Sequence, residues 1–142
     1  MKSLFTAAVA LFFAQTALAG VKIEHWVASS GARVYFVESR VLPMLDVQID
    51  FAAGSAFDTA GKSGLASITR GILDLGAGER DESQIAEQLA DLGANLAGGA
   101  DTDRASLSLR TLSARDKRDP ALDILKLVVS RPTFDAAILD RE

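Results

Sequence analysis

The sequence has no cysteine and a single histidine, His25. Without a thiol there is no disulfide and no thiolate metal site, and nothing for a lipid to be attached to behind an export signal. A zinc centre built on His25 would need two or three further nitrogen or sulfur ligands. A partly exposed strand histidine beside Trp26 is the better reading. Basic residues are also short: 15 Lys and Arg against 19 Asp and Glu, a net charge of −4. An acidic chain without a basic stripe is a poor partner for nucleic acid or an anionic membrane.

What is present is ordinary for a globular protein: 142 residues, 49% hydrophobic and 24% charged. That suits one domain with a modest core. Residues 1–19 stand apart. Lys2 gives a positive start, residues 4–14 are an unbroken apolar run, and Ala17-Leu18-Ala19 is a small-residue cleavage site. This is the layout of a secretory signal peptide, cut after Ala19. Residues 4–19 are shorter than the roughly 20 that a spanning helix needs. The mature chain is therefore expected to be periplasmic or secreted and off the membrane, and export without disulfides suits a bacterial periplasm.

From Val21 the pattern is strand-like. Residues 21–27 alternate, Ser29-Ser30-Gly31 makes a turn, and residues 33–37 return as a hairpin. Residues 45–51 alternate strictly, and residues 54–64 are a turn-rich loop. The period then changes. Leu65, Ile68, Ile72 and Leu75 mark one face of a helix, stopped by Gly76-Ala77-Gly78. Asp81 and Gln84 make a capping box for a second helix with Ile85, Leu89 and Leu92 inward and Gly93 at its end. Residues 94–101 read as an extended stretch weakened by glycine, and residues 105–110 as a half-buried strand. Asp119-Pro120 is placed as the start of a third helix with Leu122, Leu125, Val128 and Val129 inward. A fourth helix begins at Asp135. Nothing caps its end, so the native chain is expected to continue past Glu142. The fold class is α/β in the α+β two-layer sense, a mixed and mostly antiparallel sheet packed by helices.

Three motifs have simpler readings than chemistry. Gly61-Lys62-Ser63 ends like a P-loop, but the glycine needed five residues earlier is Ala56. Asp101 and Asp103 lie two apart at a hairpin turn and lack the further oxygens of a calcium loop. Ser67 would act as a nucleophile only beside a base, and neither His25 nor a lysine is placed to serve.

The stretch Gly64-Leu65-Ala66-Ser67-Ile68-Thr69-Arg70-Gly71-Ile72-Leu73 resembles the helix of insulinase/pitrilysin-type zinc peptidases. That helix reads Gly-Leu-Ala, then H-x-x-E-H, then two apolar residues. The context resembles the family as well: three strands before the helix, a second helix ending Leu92-Gly93, a hairpin around Asp101, and Pro132-Thr133-Phe134 opening a further helix. Residues 20–142 thus resemble the N-terminal portion of an insulinase-type domain.

In that family two histidines four apart hold zinc and the glutamate between them is the general base. On this chain the three positions are Ser67, Arg70 and Gly71, and none keeps the chemistry. Arg70 would put a cation where the metal belongs, and with Asp74 it has the spacing of a helical ion pair. The resemblance therefore implies no catalytic residue, no metal and no cofactor. It implies a non-catalytic peptidase-like subunit that pairs with a homologous zinc-bearing subunit and helps enclose peptide substrates. The family's substrate-holding residues for such a subunit lie beyond Glu142. The alternative is a stand-alone exported binding or scaffold domain, and after it an active metalloendopeptidase.

Overall fold

The chain is described by a computed structural model covering residues 20–142. The expected export signal lies outside these residues. The chain divides into two compact units at the Leu42–Pro43 junction.

In the first unit β1 (Ile23–Val27) pairs antiparallel with β2 (Arg33–Val37), from Ile23 opposite Val37 to Val27 opposite Arg33. Gly31 closes the turn at φ 85°, a left-handed conformation that glycine adopts without strain. Both faces carry exposed apolar side chains. Trp26 and Phe36 lie on one, and Ile23, Val27, Tyr35 and Val37 on the other. The His25 ring stacks on Tyr35 with centroids 6.2 Å apart.

The second unit, Pro43–Glu142, is built on β3 (Met44–Phe51), β6 (Asn95–Ala100) and β7 (Ala105–Leu112). Both pairings are antiparallel, in the order β3-β7-β6, so β7 is central and β6 is an edge. The alternation seen in the sequence decides which face is which. Leu45, Val47 and Ile49 of β3 stand opposite Thr111, Leu109 and Leu107 of β7 on the covered face. Asp46, Gln48 and Asp50 face the other way. There Arg110 donates to both carboxylate oxygens of Asp46, at 2.6 and 3.2 Å.

Two longer helices close the covered face. Helix α2 (Glu82–Leu92) begins with the capping box expected from Asp81 and Gln84 and ends at Gly93, φ 63°. It buries Ile85 and Leu89. Helix α3 (Arg115–Ser130) buries Ala121, Ile124, Leu125 and Val128 against β7 and α2. Each such large apolar side chain contributes roughly 1.5–3 kcal/mol by leaving water. Between α1 and α2 a small hairpin of β4 (Gly76–Ala77) and β5 (Arg80–Asp81) turns the chain. Helix α1 (Leu65–Ile72) and the short α4 (Ala136–Arg141) complete the unit.

Two expectations need correction. Helix α3 starts at Arg115, not at Asp119-Pro120, and Pro120 lies inside it. The N–H groups of Lys117 and Arg118 close the first turn on Ala114 O, and the Lys117 ammonium donates to Asp91 O at the end of α2. A tertiary contact therefore supports a turn that has no apolar residue to announce it. Helix α1 ends at Ile72, so Leu75 is not part of it. Of its expected apolar face only Ile72 is buried, at 6% exposure, while Leu65 and Ile68 are about half exposed.

Candidate functional site

Helix α1 carries the three positions singled out in the sequence, and its start is unusual. Gly64 occupies the cap position at φ 91° and has no side chain to offer. Asp58, six residues earlier, supplies the cap instead. Its two carboxylate oxygens accept from the N–H of Gly64 at 2.8 Å and of Ala66 at 3.0 Å, satisfying donors that a helix start leaves free. Asp58 is held in place by a 3-10 turn, Ser55–Phe57. The N–H groups of Ser55 and Ala56 donate to the carbonyls of Asp101 and Thr102, both at 2.9 Å. Gly54 is buried against that strand connection, and a Cβ there would collide with the Thr102 carbonyl.

The connection between β6 and β7 is itself capped. Asp101 Oδ1 accepts from the N–H of Asp103 and of Arg104, both at 2.8 Å. The Arg104 amide, then the Asp103 amide, holds the Asp101 carboxyl below its ordinary value. Asp101 and Asp103 thus build a turn. Lys62 of the Gly61-Lys62-Ser63 triplet lies exposed in the loop ahead of α1.

The structure separates the three motif positions. Ser67 and Gly71 are exposed, and a Cβ on Gly71 would meet nothing within 4 Å. Arg70 is only 7% exposed. Its Nε donates to the Ser106 carbonyl of β7 at 2.7 Å, and its Nη1 donates to Asp74 at 3.1 Å. The ion pair expected from the spacing forms. The polar face expected around Arg70 does not stay in water, because its guanidinium is laid on the sheet. Gly98 of β6 makes the room, since a Cβ there would stand 2.7 Å from both Nε and Nη2 and would collide with the Ser106 carbonyl. Nη2 has no acceptor among the described residues.

Beside Arg70 lies an open groove of about 470 Å³. Phe51, Phe57, Leu65, Val129 and Phe134 form most of its wall, and Asp58 and Arg70 are its charged members. Phe134 is held at φ 47°, a left-handed conformation uncommon for a bulky residue. Residue spacing alone did not disclose Asp58, Gly54, Gly98 or Ser106 as parts of this site. The Gly98-Gly99 pair inside a strand was the available signal, because glycine there often marks a close approach.

Among the described residues no three His, Cys, Asp or Glu side chains are grouped to hold a metal ion. None of the described helices is long and apolar enough to cross a membrane.

Comparison with known proteins adds the following. The family model described as Insulinase (Peptidase family M16) matches residues 33–142. A crystal structure of a peptidase M16 inactive domain from Pseudomonas fluorescens is 44% identical, with a TM-score of 0.82 over 85% of this chain and 29% of that one. The crystal structure of a protease from Helicobacter pylori is 16% identical, with a TM-score of 0.72 over 83% of this chain and 28% of that one. The second likeness is one of fold. No curated protein matches the chain. The chain spans less than a third of the length of either solved relative.

Proposed function

Because the chain belongs to the insulinase family, Peptidase family M16, we propose that it is the N-terminal part of an exported, non-catalytic subunit. This subunit pairs with a homologous zinc-bearing subunit and helps hold the peptide substrate. The observation that carries this reading is the state of helix α1. The positions aligned with H-x-x-E-H hold a hydroxyl, a guanidinium and a bare glycine, a donor set that does not fit zinc. The guanidinium is bonded instead to the Ser106 carbonyl and Asp74. Arg70 therefore acts as a fastener of helix to sheet where an active relative would need a base. The 44% identity to a domain described as inactive supports the same reading. The groove and the edge strand β6 supply what peptide holding requires, an apolar wall and a row of backbone groups able to take an added strand.

Co-expression with a homologous chain bearing an intact H-x-x-E-H tests the pairing. The two should co-purify in equal amounts, with zinc following the partner alone. Stoichiometric zinc in the isolated chain after desalting, or chelator-sensitive peptide hydrolysis by it, would sink the proposal. Export predicts a mature N-terminus at Gly20, which mass spectrometry reads directly.

A further inference from the structure

An arginine has five N–H donors in a planar fork. Arg70 uses two of them and is 7% exposed, so most of its fork is out of water without a full set of acceptors. A buried guanidinium in that condition gains from any acceptor brought to it. Arg70 is also the sole cation lining the groove, and the groove's one carboxylate, Asp58, is turned to the two amides it caps. Asp74 engages Nη1 alone and leaves Nη2 unengaged. The remaining donors suit a second carboxylate, the group that such a fork binds best.

The walls decide what that carboxylate is attached to. Phe51, Phe57, Leu65 and Phe134 line the groove and each stays well exposed. Its volume lies within the range of about 300–1000 Å³ common for small-ligand sites. An aspartate or glutamate side chain carries no apolar body. The last residue of a peptide does, because its carboxylate and its side chain leave the same carbon.

We propose that the groove beside Arg70 binds the free C-terminus of a peptide ending in an apolar residue. Arg70 takes the carboxylate, and Phe57, Leu65 and Phe134 take the side chain. The inference rests on the peptide-holding reading above and specifies which part of a peptide is held.

The test is calorimetry on the whole protein with acetyl-Ala-Ala-Leu-Phe, as the free acid and as its C-terminal amide. The acid should bind about tenfold more tightly, the scale of a charge-assisted hydrogen bond. Arg70→Met should erase the preference and leave the affinity for the amide unchanged, its fold being checked by circular dichroism. Should that variant fail to fold, Phe57→Ser at the exposed rim should weaken both peptides alike and keep the preference. Equal binding of acid and amide, no binding of either at millimolar concentration, or competition by octanoate as strong as by the acid peptide would each overturn the site. Failure is separable from that of the subunit reading. Loss of pairing with the acid preference intact removes the partner, and pairing without the preference removes only this site.

Discussion

Helices α1 and α2 lie in the same unit and are secured by opposite means. Helix α2 is supported locally: Asp81 and Gln84 cap each other's backbone at its start, Ile85 and Leu89 face the core, and Gly93 closes it in a left-handed turn. Helix α1 has a glycine at its cap position, another glycine in its interior, and an arginine turned inward. Its support comes from Asp58, from the β6–β7 connection under Ser55 and Ala56, and from Ser106 on the sheet. The pairing teaches that a helix can be placed by its neighbours as firmly as by its own sequence. In exchange, it becomes sensitive to changes far along the chain.

Gly98→Ala should produce the largest effect. The added methyl meets the Ser106 carbonyl and the Arg70 guanidinium, and Gly98 has φ 152°. A loss of about 3 kcal/mol or more is expected in urea unfolding, with α1 amides losing hydrogen-exchange protection before those of α2. Equal loss of protection in the two helices would show that Gly98 does not serve α1 in particular.

Next comes a comparison of caps. Asp58→Ala removes the acceptor of two amides and should cost about 1–2 kcal/mol, with the loss confined to α1. Asp81→Ala should cost about 1 kcal/mol and act on α2. The contrast fails if Asp58→Ala leaves α1 protection unchanged.

Gly71→Ala should go the other way. The position is exposed and has nothing within 4 Å of a Cβ, so alanine should stabilise by about 0.5–1 kcal/mol through helix propensity. A lower melting temperature would mean that position 71 is filled by something other than solvent in the native protein.

The smallest effect is with pH. The Asp101 carboxyl, lowered chiefly by the Arg104 amide, and that of Asp46, lowered chiefly by its hydrogen bond from Arg110, are depressed in the folded protein. Their contribution is therefore complete above the ordinary aspartate value of about 3.9 and is lost as pH falls below it toward the folded values. Because Asp101 orders the connection on which the approach to α1 rests, α1 amides should exchange sooner than α2 amides as pH is lowered through this range. Identical profiles for the two helices would remove Asp101 from the support of α1.

Local signals carried α2, β3 and β7 from sequence to structure. The Asp81–Gln84 spacing, the strict alternation of residues 45–51 and that of residues 105–110 each depend on residues close together in the chain. The family resemblance was legible in the same way, through the Gly-Leu-Ala start of α1 and its surroundings. What stayed hidden was long-range. An arginine on a helix reads as surface, and only Gly98, with Ser106 beyond it, explains why Arg70 is inside. Ala114 gives α3 no side-chain cap, and its polar first turn is without apolar period, so Pro120 drew the start too far along.

The seat of Arg70 also bears on how such a chain can change over generations. A glutamate at position 70 would bring its carboxylate toward the Ser106 carbonyl and the Asp74 carboxylate, three acceptors meeting with no donor between them. Reversal toward a metal-binding helix is thus blocked at its first step, whatever stands at positions 67 and 71. Any viable path has to relieve Asp74 or supply the cation before the arginine is given up. Fitness at position 70 depends on that order, so the seat works as a ratchet.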